Sequence, residues 1–158
     1  MPMSIESETV KQTLAEITNL YEELVDRAQL LVDGYWGEWK ERNRLIINSG
    51  LQPSQEGYEK AGRIAPRLKK LKNTHRVYLE WWDWKQTPYR KYQNARSGIQ
   101  IKPNLKSGFT WSVMTKHANT WEKVLFDKYE PFFKKIRKAL AALADQITNL
   151  NKLIPTLM

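Results

Sequence analysis

Apolar side chains recur every three or four residues in two long stretches, one near each end of the chain. In the first stretch the intervals alternate between four and three from Val10 to Tyr35. This 3.5-residue repeat keeps one apolar stripe on one side of a helix. Ser4 is a residue type that caps helix N-termini. We therefore predict a helix over residues 4–47, ending before Asn48-Ser49-Gly50.

The second stretch repeats the pattern from Tyr129 to Ile154, and helical spacing extends upstream to Met114. Pro131 lies inside this segment, where proline is tolerated in a first helical turn or at a kink. The pattern predicts a helical segment over residues 113–154, kinked near Pro131, with two helices broken at Glu130-Pro131 as the alternative.

Each long helix leaves an apolar stripe that must be buried. The simplest arrangement packs the two stripes against each other as an antiparallel pair. In the alternative, each helix pairs with a second copy of the chain, so a homodimer stays open.

The middle of the chain has the alternation of short strands. Residues 67–71 and 76–84 predict a hairpin, with a turn over 72–75. Residues 99–102 and 107–111 are candidates for a third and a fourth strand. On the second strand, alternation predicts one face with Val77, Leu79 and Trp81 and the other with Tyr78, Trp82 and Trp84.

These elements define the fold class. We predict a mostly helical α+β protein in which two long helical segments flank an antiparallel sheet of three or four strands. The sheet and its loops occupy residues 63–112. The length of 158 residues corresponds to one domain, over residues 1–158.

Composition narrows the class of protein. Cysteine is absent, which excludes disulfides and thiol chemistry, and no apolar run reaches the length of a membrane span. The first residues are acidic, unlike a secretory signal. A cytoplasmic protein without membrane association is the expectation.

Positive charge is concentrated in the middle third of the chain. Residues 58–106 hold 13 Lys and Arg against three Asp and Glu, whereas residues 1–57 carry a net charge of −5. The whole chain has a net charge of +9. A surface that faces a polyanion predicts such concentration, and general solubility does not.

Eleven basic residues of this region are candidates for contact with nucleic-acid phosphates. They are Arg67, Lys69, Lys70, Lys72, Arg76, Lys85, Arg90, Lys91, Arg96, Lys102 and Lys106. Because no base-reading motif is present, the expected contacts are to phosphates and not to base edges.

Three aromatic residues beside these cations are candidates for stacking on bases or for anchoring a protein partner: Trp82, Trp84 and Tyr89. The alternative is that the loop over residues 85–106 folds back and buries them.

No catalytic constellation is evident in the sequence. His75 and His117 are the two histidines, and without cysteine a zinc site would need both of them together with a carboxylate, which we do not expect. Glu80 and Asp83 are expected on opposite faces of a strand, which argues against a paired-carboxylate site. The sequence also lacks a phosphate-binding loop. We expect a protein that is not an enzyme and holds no metal or cofactor.

The order of elements resembles the MobI family of conjugative transfer proteins. The resemblance lies in the aromatic segment over residues 31–39, the strand end Leu79-Glu80-Trp81-Trp82, the run Phe109-Thr110-Trp111-Ser112, the segment over residues 118–122 and the last long helix. It implies an auxiliary factor that assists a separate relaxase at the origin of transfer of a mobile element.

Two functions follow from these observations. The first is a non-enzymatic DNA-binding accessory factor in conjugative transfer, with a relaxase or another transfer protein as partner. The alternative is a protein–protein adaptor of a phage or mobile element that engages its partner through exposed tryptophans. Charge alone does not separate RNA from DNA.

Overall fold

A computed structural model describes residues 4–84 and 98–158. The elements follow in the order α1 (Ile5–Asn48), β1 (Ile64–Lys70), β2 (Val77–Asp83), β3 (Ile99–Gln100), α2 (Trp111–Met114) and α3 (Glu122–Leu157). The predicted class is confirmed, because two long helices flank a small antiparallel sheet. Within the described residues, no helix carries an apolar stretch sufficient to cross a bilayer.

The first helix forms where its apolar stripe predicts it. Ser4 caps it by accepting a hydrogen bond from the backbone N–H of Ser7 at 3.1 Å. Its buried residues include Tyr21, Ala28 and Tyr35, which lie on the predicted stripe and pack in one core with residues of α3. The expectation that the two stripes bury each other is therefore confirmed.

The last helix begins later than predicted. Residue 113 lies in the short helix α2, but residues 115–121 are not helical, so the prediction of one continuous helical segment from residue 113 is wrong. The reason is Glu122, whose buried carboxylate accepts hydrogen bonds from the backbone N–H of Asn119 at 3.0 Å and of Ile64 at 2.9 Å. The first of these bonds turns the chain into the helix as a capping box does.

The alternative of a break at Glu130-Pro131 is also wrong, because α3 continues through Pro131. A proline inside a helix removes one backbone hydrogen bond. Packing on both sides of Pro131 holds the helix, since Phe126 and Phe133 both lie against the ring of Trp81, with centroids 5.2 and 5.6 Å away.

Among the residues that the structure describes, the sheet has three strands in the order β1-β2-β3, and neighbouring strands are antiparallel. The candidate fourth strand over residues 107–111 is reduced to an isolated bridge between Asn104 and Gly108. One face of the sheet, here called the inner face, buries Leu79 and Trp81 in the core, as alternation along β2 predicts. The opposite face is called the outer face.

Side chains of the two long helices donate hydrogen bonds to backbone carbonyls on both edges of the sheet. On the β1 edge, the Tyr35 hydroxyl donates to the carbonyl of Ile64 at 2.9 Å, and the Trp36 indole N–H donates to the carbonyl of Pro66 at 2.8 Å. On the β2 edge, Arg137 Nε donates to the carbonyl of Leu79 at 2.7 Å. These contacts fix the orientation of the sheet against the helices.

Candidate nucleic-acid interface

The hairpin of β1 and β2 places basic residues of β1 on the outer face. The turn between the strands contains Asn73 with a φ of 62°, a left-handed conformation that asparagine tolerates better than most residues. In the resulting register Arg67 lies opposite Glu80, and Lys69 lies opposite Tyr78. Paired residues of antiparallel strands share a face, so these four side chains lie together on the outer face.

Trp82 holds the two cations of the outer face. The Arg67 guanidinium carbon lies 4.8 Å from the Trp82 ring centroid, and Lys69 Nζ lies 5.8 Å from it. A cation above an aromatic face is attracted by the ring electrons, and the N–H groups at the guanidinium edge stay available as donors. The arrangement therefore restricts where these two cations lie on the outer face.

Trp82 and Trp84 are packed within the protein and do not form an open stacking surface. Trp82 is 9% exposed, and its ring stacks on Trp84 with centroids 5.8 Å apart. Trp84 also contacts Trp36, and a Cβ added at Gly98 would lie 2.7 Å from Trp84 Cε3. Of the two alternatives for Trp82, burial is the one that the structure supports.

Glu80 is the carboxylate among these cations. Burial raises the pKa of Glu80, and the neighbouring charges of Lys69 and Arg67 act in the opposite direction. Gln100 donates a side-chain hydrogen bond to the Glu80 carboxylate. Glu80 therefore offsets part of the positive charge of the outer face.

Six of the predicted phosphate-contacting residues have no carboxylate within 4 Å in the described parts of the chain. They are Arg67, Lys69, Lys70, Lys72, Lys102 and Lys106. The first four lie on β1 and in the turn of the hairpin, and the last two lie in the exposed segment after β3. Their charge is available to an external anion.

Arg76 behaves differently from these six. Its guanidinium pairs with Asp145 of α3 at 2.5 Å, and this hydrogen bond raises the pKa of Arg76. The neighbouring His75 Nε2 lies 3.1 Å from the carbonyl of Ala144. These contacts attach the end of the hairpin to α3, and Arg76 has a carboxylate partner within the fold.

The remaining predicted site residues lie outside the described residues. They are Lys85, Tyr89, Arg90, Lys91 and Arg96.

Trp36 is not among the residues that the sequence analysis proposed for the site, yet the structure places it beside Arg67 and Trp84. Trp36 lines a groove of about 490 Å³ together with Lys40, Arg67 and Trp84. Lys40 Nζ lies 5.7 Å from the Trp36 ring centroid. A cation four residues after a tryptophan lies on the same side of a helix, which is the signal that would have found this pair.

The protein is therefore an α+β protein in which two long helices support a small antiparallel sheet that carries cations on one face. Within that class, the family model described as MobI protein matches residues 24–151, so the chain belongs to the MobI family. This confirms the resemblance and gives the protein a role related to mobilisation. The searches of curated protein sequences and of solved structures each gave no match.

Proposed function

We propose that this protein is a DNA-binding accessory factor in conjugative transfer, which contacts phosphates through its basic hairpin. It assists a separate relaxase at the origin of transfer and does not cut DNA itself. The observation that carries the proposal is the pair of cations, Arg67 and Lys69, held over Trp82 on the outer face.

The charge distribution supports a phosphate ligand. Lys70 and Lys72 continue the positive charge along the hairpin toward its tip, with Lys70 paired with Val77 and thus on the side opposite Arg67 and Lys69. Residues two apart on a strand point to the same face and lie roughly 6.6 Å apart. Arg67 and Lys69 therefore form a short row of positive charge, which suits a backbone that carries a charge at every nucleotide.

The proposal assigns no catalytic step to this chain. Both histidines make contacts within the fold. His75 Nε2 lies near the carbonyl of Ala144. His117 Nδ1 lies 3.1 Å from Asp83, whose carboxylate also pairs with Arg63 at 2.7 Å. These contacts stabilise the start of β1 and the end of β2.

Salt-dependent binding to duplex DNA tests the proposal. The fluorescence anisotropy of a labelled duplex is measured at several salt concentrations with the wild type and with Lys69→Glu/Lys70→Glu/Lys72→Glu. We expect the affinity of the wild type to fall steeply with salt. If each lysine neutralises one phosphate, the slope of log affinity against log salt should be less negative by about 2.7 in the triple variant.

A second triple variant serves as the control for net charge. Lys134, Lys135 and Lys138 are exposed on α3, and changing them to Glu alters the net charge by the same amount. We expect this control to retain most of the affinity. Equal losses in both variants would show that general charge, and not the hairpin, determines binding, and a wild type without salt-dependent affinity contradicts the proposal.

The adaptor alternative has less support. Trp82 is buried, and Trp84 is packed against Trp36, so neither ring is free to enter a pocket on a partner. An adaptor predicts that Trp84→Ala weakens the interaction of this protein with its target more than Lys69→Ala and Lys70→Ala together. DNA binding predicts the reverse order.

A further inference from the structure

Tyr78 is an exposed aromatic residue on the outer face that the phosphate contacts do not use. It is 42% exposed, and among the described residues no other aromatic ring is stacked on it. In the register of the hairpin it lies opposite Lys69, one of the two cations held by Trp82. Across a strand pair the two Cβ atoms are about 5 Å apart, so an exposed aromatic surface and an ammonium group are neighbours.

A pocket of about 360 Å³ opens beside Tyr78. It lies between the edge of β2 and α3, where β3 has already ended. Its apolar lining includes Leu79, Leu140 and Ala144, and Tyr21 and Phe109 add two aromatic rings to that of Tyr78. This volume lies at the lower end of the range of small-ligand sites and is large enough for a planar base.

The polar groups of the pocket suit the edge of a base. Gln100 and Glu80 both line it, and the Gln100 amide nitrogen donates to the Glu80 carboxylate. This bond orients the Gln100 side chain and leaves its carbonyl oxygen as an acceptor. Carboxylate and amide oxygens accept hydrogen bonds from the exocyclic amino groups of bases.

We propose that Tyr78 and this pocket bind one unpaired nucleotide of a DNA strand. The base stacks on Tyr78 with its edge toward Gln100 and Glu80, and its phosphate lies against Lys69. Bases within a duplex are stacked on their neighbours, so only an unpaired base can enter the pocket. This inference rests on the proposed DNA binding and specifies which form of DNA the outer face prefers.

The test compares a single-stranded oligonucleotide with a duplex of the same sequence. Because a base stacked on an aromatic side chain adds to single-strand affinity, we expect Tyr78→Ala to weaken single-strand binding on the order of tenfold. Binding to the duplex, which depends on the lysines, should change less than twofold. A 2-aminopurine base in the single strand should be quenched by the wild type and not by Tyr78→Ala.

Two further variants make the result specific. Tyr78→Phe keeps the ring and should bind the single strand like the wild type. Tyr58, which is 37% exposed and lies outside the sheet, is a matched control, and Tyr58→Ala should also bind normally. Thermal unfolding of each variant verifies that the fold is retained.

Three results would overturn the inference. The first is an equal loss of single-strand and duplex affinity in Tyr78→Ala, and the second is no loss in either. The third is a wild type that binds a single-stranded RNA of the same sequence at least tenfold more tightly than the DNA. A wild type that binds no DNA would instead refute the proposed function, so the two failures are distinguishable.

Discussion

Trp81 and Trp82 are adjacent in the sequence and point to opposite faces of the sheet. Trp81 is fully buried, with Tyr35, Phe126 and Phe133 around its ring. Trp82 is nearly buried as well, but the groups on its ring include two cations. The same residue type therefore stabilises the fold on the inner face and positions charge on the outer face.

The environment of Trp81 includes an ion pair between a buried carboxylate and a partly exposed guanidinium. Its indole N–H donates to Glu130 at 2.9 Å, and Glu130 pairs with Arg137 at 2.7 Å. Arg137 in turn donates to the carbonyl of Leu79. Buried charges require such partners. Removing a partner on the inner face should therefore lower the stability of the fold more than removing a partner on the outer face.

The largest expected effect is that of Trp81→Ala. The change removes a large core side chain and leaves Glu130 without one donor, so we expect the free energy of unfolding to fall by about 4 kcal/mol. Chemical denaturation measures this loss. Trp81→Phe keeps an aromatic ring and should cost less. A loss below about 1 kcal/mol in Trp81→Ala would remove the contrast between the faces.

Glu122→Gln should have the next largest effect. The Glu122 carboxylate links α1, β1 and α3 by accepting hydrogen bonds from Trp39 Nε1 and from the backbone N–H groups of Ile64 and Asn119. An amide places an N–H group against some of these donors. We expect a loss of about 2 kcal/mol at neutral pH, measured by chemical denaturation.

The loss in Glu122→Gln should depend on pH with a definite sign. Burial raises the pKa of Glu122, and its hydrogen bonds oppose this shift. The stabilisation linked to the raised pKa is complete below the unfolded value near 4.5 and decreases as pH rises through the native value. The difference between wild type and Glu122→Gln should therefore be larger at pH 4 than at pH 7. The opposite trend would show that the hydrogen bonds dominate.

A smaller effect, and one on binding, is expected for Trp82→Leu. Without the ring, Arg67 and Lys69 lose a cation–π contact worth about 0.5–1 kcal/mol each. If the proposed DNA contact is correct, duplex affinity should fall about threefold to tenfold, as measured by anisotropy. Trp82→Phe retains a ring and should lose less. An unchanged affinity in Trp82→Leu would mean that the ring does not position these cations for DNA.

The smallest effect is expected for Arg76→Ala. Because Arg76 is paired with Asp145, we expect duplex affinity to stay within twofold of the wild type. Lys72→Ala, which removes an unpaired charge of the same hairpin, should weaken binding more. A larger loss in Arg76→Ala than in Lys72→Ala would show that the ion pair opens when DNA binds.

The long-range pattern of apolar residues made the helices and the hairpin predictable. The apolar stripe that ends near Tyr35 predicted α1, with its cap at Ser4. The alternation around Trp81 predicted β2 and the faces to which its side chains point. Both signals depend only on which residues must be buried, and periodicity reports burial directly.

The start of α3 and the tryptophan contacts were not predictable in this way. Residues 114–121 have helical spacing, but Glu122 forms hydrogen bonds with the backbone of β1, 58 residues earlier in the chain. The position of Trp36 beside Trp84 likewise depends on how α1 packs on the sheet. Sequence periodicity contains no information about such partners.

The occupied edges of the sheet have a consequence for assembly. An exposed strand edge is a template on which a second chain can add a strand, and it favours aggregation. Here Tyr35 and Trp36 use carbonyls on one edge, Arg137 uses a carbonyl on the other, and Pro66 has no N–H to offer. A molecule that recruits this protein through its sheet must therefore recognise side chains on the broad surface, and its selectivity will be set by their chemistry.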